Sequence, residues 1–137
     1  MATNTSAIII NASTQKVFNA LTNPALIKLW QYGRVVTTNW KPGSEIKFRT
    51  EGGGNVLEQW GTVLEMKPDE LIKYNLFTPA PGLEDHIANY FVTSYILTNA
   101  HGQTRVEIIQ EDNRPNAFPP GTLMPILASL KATAEAN

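Results

Sequence analysis

The chain has 137 residues and a nearly balanced charge, with 11 Lys and Arg against 12 Asp and Glu. This length predicts one domain over residues 1–137, and the small imbalance argues against nucleic acid as a partner, because binding to phosphate backbones needs an excess of positive charge. The absence of cysteine excludes disulfides, thiolate metal sites and cysteine nucleophiles. The apolar run at residues 7–10 is too short for a membrane span or a signal-peptide core, so the sequence predicts a cytoplasmic protein.

One strand and two short helices are predicted first. Residues 6–11 contain three consecutive isoleucines, whose β-branched side chains favour a strand. Ser13 is a suitable N-cap for a helix that ends near Thr22, and Pro24 suits the first turn of a second helix that Gly33 closes.

The middle of the chain predicts an antiparallel meander, because strand-like runs alternate with turn residues such as Pro42-Gly43 and Gly52-Gly53-Gly54-Asn55. The six predicted strands cover residues 35–40, 45–51, 56–66, 71–77, 89–98 and 104–111. A polar hairpin at residues 99–102 joins the last two strands.

A long helix is predicted at the end of the chain, starting near Thr122 so that Pro125 falls in its first turn. Its apolar face comprises Leu123, Ile126, Leu127, Leu130 and Ala134. Together the elements predict an α+β fold: a curved seven-stranded antiparallel sheet, two short helices after the first strand, and the last helix across the concave face. One helix cannot fill so curved a sheet, so we expect a cavity with Leu127 near the centre of its wall.

The predicted ligand site follows from strand alternation. Tyr74, Thr93, Tyr95 and Gln110 would place a few polar groups in an otherwise apolar interior, although they could instead satisfy one another in a packed core. Among the three tryptophans, Trp60 is the preferred candidate for the ligand site because Glu58 and Gln59 interrupt the apolar pattern beside it. Both faces of that strand are mixed, so the sequence does not show which of them points inward. The expected ligand-binding residues are Phe48, Trp60, Tyr74, Leu76, Thr93, Tyr95, Ile108, Gln110, Leu123, Leu127 and Leu130.

The two histidines do not form a metal-binding motif, and we expect neither a metal nor another cofactor. His101 falls in a hairpin tip. His86 follows Glu84 and Asp85 in a long loop, where it could bind or protonate a ligand at the mouth of the cavity or be an ordinary exposed residue. No Gly-x-Ser-x-Gly motif is present, and no residue is assigned a catalytic role.

Four groups of residues carry a family resemblance. They are residues 8–13 with 17–24 and Trp30, the Pro42-Gly43 turn, residues 61–65 with Pro68 and Leu71, and residues 95–98 with 102–106. In this order they resemble the SRPBCC superfamily of START-like helix-grip proteins, which includes polyketide cyclases and plant pathogenesis-related allergens. They are most similar to its heat-shock ATPase-activator branch, although Gly121-Thr122 replaces that branch's usual Gly-Trp before the last helix.

The resemblance and the predicted cavity give three functional hypotheses. The first is a binder or carrier of an apolar or aromatic small molecule, including a lipid. The second is a cyclase- or dehydratase-like enzyme in which Tyr74, Tyr95 or His86 positions a proton. The third, implied by the branch name, is a protein-interaction module that engages a chaperone ATPase.

Overall fold

The computed structural model describes residues 2–31, 33–52, 54–112 and 123–136. Its strands are β1 (Ala2–Ile10), β2 (Val35–Thr37), β3 (Glu45–Gly52), β4 (Asn55–Lys67), β5 (Leu71–Leu76), β6 (Phe91–Ala100) and β7 (Gln103–Asp112). Its helices are α1 (Thr14–Thr22), α2 (Pro24–Trp30) and α3 (Leu123–Ala136), and a short 3-10 turn spans Ile87–Asn89. The strands form one antiparallel sheet in the order β1-β7-β6-β5-β4-β3-β2, which confirms the predicted α+β architecture.

The starts of the first two helices follow from their capping residues. The Ser13 side chain accepts a hydrogen bond from the Lys16 N–H, and the Asn23 side chain accepts one from the Ala25 N–H. Pro24 occupies the first turn of α2, where its missing N–H costs little. Both predicted starts are confirmed.

Two predicted strand boundaries are wrong for local reasons. The predicted strand at residues 35–40 ends at Thr37, since Trp40 adopts a left-handed backbone (φ 63°) that cannot continue a strand. The strand predicted from residue 89 starts instead at Phe91, because a 3-10 turn precedes it. The first strand is longer than predicted because it pairs with β7 along its whole length, from Ala2 opposite Asp112 to Ile10 opposite Thr104.

Strand β4 contains a feature that changes which side chains face the helices. Its register against β5 shifts between Val63 and Glu65, which is a β-bulge. A bulge adds one residue to one strand, so the inward-facing positions change from odd to even numbers across it. Just before it, Gly61 lies so close to β5 that an added Cβ would be 1.9 Å from the Asn75 carbonyl oxygen, a distance that excludes any larger residue.

Helix α3 lies on the concave side of the sheet, against β1, β7, α1 and α2. Lys131 Nζ donates to the Ile9 carbonyl (3.1 Å), and the Ser129 hydroxyl donates to the Trp30 carbonyl (2.8 Å). Pro125 is the third described residue of the helix, whereas the expected start at Thr122 and the Gly121-Thr122 pair lie outside the described residues. Within the described ranges, no helix combines the length and apolar character needed to cross a membrane.

Candidate ligand cavity

A cavity of about 240 Å³ lies on the concave side of the sheet, between the strands and the helices. The described residues that line it are Trp30, Gln31, Arg34, Gln59, Tyr74, Leu76, Phe91, Thr93, Tyr95, Gln110 and Ile126. Seven of these are buried and form its floor: Trp30, Tyr74, Leu76, Phe91, Thr93, Tyr95 and Gln110. The other four, Gln31, Arg34, Gln59 and Ile126, are partly exposed and form its rim.

Two tyrosines make the polar centre of the floor. Burial raises the pKa of Tyr74 and raises the pKa of Tyr95 well above the ordinary tyrosine value. The edge of the Trp30 indole packs against the Tyr95 ring, with centroids 6.4 Å apart at 87°. Both hydroxyls therefore stay protonated at neutral pH and can act as hydrogen-bond donors.

A row of polar side chains crosses the floor from one strand to the next. Tyr74 lies opposite Thr93, and Thr93 lies opposite Gln110. The Gln110 Nε2 donates a long hydrogen bond of 3.4 Å to the Thr93 hydroxyl, while the Gln110 Oε1 is buried without a partner in the described part of the chain. An unpartnered buried polar atom is costly, so this oxygen is an exception among the buried polar groups of the described residues.

A charged residue, Arg34, lies at the rim. Its Nη1 donates to the Gln31 Oε1 at 2.8 Å, its Nη2 donates to the Gln59 Oε1, and its guanidinium carbon lies 3.9 Å from the centre of the Phe48 ring. Burial lowers the pKa of Arg34, and the nearby tyrosines Tyr74 and Tyr95 oppose this effect. The cation is thus held in place by neutral groups.

The structure brings together five of the predicted site residues around the cavity: Tyr74, Leu76, Thr93, Tyr95 and Gln110. Phe48 is buried beside them, where its ring contacts Tyr74 and Arg34. Ile108, Leu123, Leu127 and Leu130 are buried in the core but do not line the cavity. The expected position of Leu127 at the centre of the wall is corrected, because α3 docks toward β1 and presents Ile126 to the cavity instead.

The expectation for Trp60 is also corrected. Before the bulge in β4 the inward positions are Gln59 and Val63, so Trp60 lies on the opposite, convex face. There its ring packs on Phe77 with centroids 5.5 Å apart, and its indole N–H donates to the Asp85 Oδ2 at 3.0 Å. Trp60 anchors a loop rather than contacting the cavity.

His86 is exposed and does not line the cavity. Its Nδ1 accepts from the Ala88 N–H at 3.2 Å, which caps the short 3-10 turn. The neighbouring Asp85 accepts hydrogen bonds from the Trp60 indole and from the Tyr90 hydroxyl, the latter at 2.5 Å. The loop carboxylate is therefore used to fix the loop on the convex face.

Sequence reasoning missed six described lining residues: Trp30, Gln31, Arg34, Gln59, Phe91 and Ile126. Phe91 could have been found, because it shares the alternation of Thr93 and Tyr95. Gln59 interrupts the apolar pattern of its strand, but this signal alone does not distinguish a cavity position at Gln59 from one at the neighbouring Trp60. Arg34 carried no local signal, since its position depends on how α2 leads into β2.

The lining offers hydrogen-bond donors and acceptors and one cation rather than a metal-binding set. Within the described ranges, no three His, Asp or Glu side chains cluster closely enough to hold a metal ion. Polar groups that converge on an apolar floor can orient a small molecule.

The comparison with known families agrees with this geometry. Residues 11–122 match the model of the family described as Activator of Hsp90 ATPase homolog 1-like protein. The chain belongs to this family. No curated protein shows significant similarity to it.

Solved structures share the fold. ChR145 from Cytophaga hutchinsonii is 29% identical with a TM-score of 0.72, and the match covers 100% of this chain and 86% of that one. The Aha1 dimer from Colwellia psychrerythraea is 19% identical with a TM-score of 0.73 and coverage of 98% and 97%. Ara h 8.0201 is 13% identical with a TM-score of 0.75 and coverage of 99% of both chains. These similarities confirm the predicted helix-grip fold.

Proposed function

We propose that this chain binds a small aromatic or apolar molecule in the cavity between the sheet and the helices. The observation that carries the proposal is a largely buried floor in which aromatic and aliphatic side chains surround a few polar groups, namely Tyr74, Thr93, Tyr95 and Gln110. Ligand pockets in proteins have this composition, because apolar walls supply affinity and a few polar atoms fix orientation.

The cavity volume limits the size of the ligand. An engineered apolar cavity of about 150 Å³ holds benzene, and drug-sized ligands need roughly 300–1,000 Å³. The volume of about 240 Å³ falls between these values. It suits one aromatic ring with a short side chain and is too small for a two-chain lipid.

Isothermal titration with propylbenzene tests the proposal, because this molecule has one ring, a short chain and no polar group. We expect saturable binding to the wild-type protein. Ile126→Trp should abolish it by placing a larger side chain at the rim, whereas Met124→Trp, at an exposed position on the same helix, should leave it unchanged. Absence of binding to the wild type, or equal binding to both variants, would contradict the proposal.

The tyrosine pair favours a second candidate, a cyclase- or dehydratase-like activity. Two buried, protonated hydroxyls can donate hydrogen bonds to an oxygen that gains negative charge during a reaction. If this chain turns over an accepted ligand, changing Tyr74 and Tyr95 to Phe should lower kcat by at least about tenfold. An unchanged rate would remove the proposed role of these two tyrosines in catalysis and leave ligand binding intact.

The family description supports a third candidate, because it names an activator of a chaperone ATPase. Stoichiometric recovery of a chaperone with the tagged chain would favour this role. The Ile126→Trp variant separates chaperone binding from ligand binding, since blocking the cavity should not affect a partner that binds the outer surface.

A further inference from the structure

One charged residue of the cavity rim, Arg34, has no counter-charge among the described residues. No carboxylate of the described residues lies within ion-pair distance of its guanidinium. Residues 113–122, which the structure does not describe, contain no Asp or Glu. The groups that hold Arg34 are two glutamine oxygens and an aromatic ring, all of them neutral.

Such an arrangement is costly unless a negative group completes it. Removing a charge from water without an opposite charge is far more expensive than burying a neutral hydrogen-bonded group. The lowered pKa of Arg34, caused mainly by burial, agrees with an incompletely compensated cation. The guanidinium has five N–H groups, of which two donate to Gln31 and Gln59, so three are without a partner in the described part of the chain.

The guanidinium is also fixed in direction. The hydrogen bonds to Gln31 and Gln59 and the contact with the Phe48 ring restrain it at the rim of the cavity, and Gln59 is itself held by its Nε2, which donates to the Thr78 hydroxyl at 2.7 Å. A planar guanidinium held in this way can bind a carboxylate through two parallel N–H···O bonds.

A second observation points to a ligand independently. The Gln110 amide lies on the floor at 9% exposure with an unpartnered oxygen. Turning the amide would only exchange its oxygen for its nitrogen at that place. Among the described residues, the cavity thus has a cation without a counter-charge at its rim and an amide oxygen without a hydrogen-bond partner on its floor.

We propose that the ligand is a small carboxylic acid, whose carboxylate pairs with Arg34 at the rim while its aromatic or apolar body lies on the floor. This inference rests on the proposed function, because it assigns a chemical class to the ligand of the same cavity. It also explains why an arginine occupies the rim of an otherwise apolar site.

Two probes with the same body test the inference: 3-phenylpropanoate and its neutral amide, 3-phenylpropanamide. Isothermal titration should give a Kd for the carboxylate roughly ten- to a hundredfold lower than for the amide, since hydrogen bonds to charged groups are stronger than neutral ones. Arg34→Gln should abolish this preference, and Arg34→Lys should retain part of it. Arg105→Gln is the matched control, because it removes the same charge from an exposed position on β7.

The outcomes separate this inference from the proposed function. If both probes bind wild type with equal affinity, or if Arg34→Gln keeps the preference for the carboxylate, the assignment of Arg34 is wrong but ligand binding stands. If neither probe binds and propylbenzene also fails, the proposed function itself is contradicted. Circular dichroism of each variant checks its folding, and Arg34→Lys, which keeps the charge, decides the result if Arg34→Gln does not fold.

Discussion

The two halves of the concave side are built differently. Toward β1 and β7, helix α3 packs directly on the sheet, and Leu123, Leu127 and Leu130 are almost completely buried. Farther from β1, residues of β4, β5, β6, β7 and α2 surround a cavity with tyrosines on its floor and Arg34 at its rim. One half is organised for packing, and the other holds polar groups that packing alone does not require.

The difference shows how a single helix divides the interior of a curved sheet. Lys131 and Ser129 bond to backbone carbonyls of β1 and α2, so α3 is fixed toward one side. The opposite side is left to shorter elements that cannot fill it. Binding is therefore proposed for the hollow half.

The largest effect should come from comparing two neighbouring residues of α3. Leu127 is fully buried in the packed half, and Leu127→Ala should lower the free energy of unfolding by about 3–5 kcal/mol. Ile126 lines the cavity and is partly exposed, so Ile126→Ala should cost only about 1 kcal/mol, because it already lacks some partner atoms. Urea denaturation measures both values, and equal losses would erase the distinction between the two halves.

Alkaline pH should destabilise the folded protein through the two buried tyrosines of the hollow half. Burial raises the pKa of Tyr74 and of Tyr95 above the unfolded value of 10.0. The unfolded chain then loses these protons first, so stability is fully present below pH 10 and falls as pH rises toward the folded pKa values, by up to about 1.4 kcal/mol per pH unit for each tyrosine.

Thermal unfolding between pH 9 and pH 11 measures this slope. Tyr95→Phe should flatten it. A slope that is unchanged by Tyr95→Phe would show that these tyrosines do not control alkaline stability.

Replacing Gln110 should have a smaller effect of the opposite sign, namely a gain in stability. Replacing it by Leu removes a buried oxygen without a partner, so Gln110→Leu should raise stability by about 1 kcal/mol. Stability gained at the expense of a binding group is common at functional sites. Gln103→Leu, at an exposed position of the same strand, is the control and should change stability little; a clear loss in Gln110→Leu would mean that the amide contributes to packing.

The smallest effect should come from the convex face. Trp60→Phe removes the indole hydrogen bond to Asp85 and should cost about 1 kcal/mol or less, because the bond is exposed. Its affinity for 3-phenylpropanoate should equal that of the wild type. A substantial loss of affinity, measured by the same titration, would place Trp60 in the site after all.

The sequence predicted the order of elements and much of the floor, because these depend on local patterns. Caps at Ser13 and Asn23, turn residues, and the alternation of Tyr74, Thr93 and Tyr95 are all visible in the chain. The rim could not be predicted in this way. Its residues come from the segment between α2 and β2, from β4 and from α3, and they meet only through tertiary packing.

Two features of the fold cannot be predicted from local sequence patterns. The bulge after Val63 reverses the alternation within β4, so both faces of that strand are mixed in sequence and the choice between Gln59 and Trp60 was open. The docking of α3 toward β1 depends on contacts with residues that are distant in sequence, such as Ile9 and Trp30. The periodicity of the helix sequence carries no information about these contacts. In both places, long-range contacts decide which of two adjacent residues lines the cavity: Gln59 rather than Trp60, and Ile126 rather than Leu127.

The most direct test of the account is to map the binding of 3-phenylpropanoate by NMR on the ¹⁵N-labelled protein. The account predicts saturable shifts in the amides of Tyr74, Thr93, Gln110 and Ile126, and in the Arg34 Nε–H signal. Amides on the convex face, such as that of Trp60, should not move. Absence of saturable shifts, or shifts concentrated around Trp60, would contradict the claim that the hollow half of the molecule is its binding site.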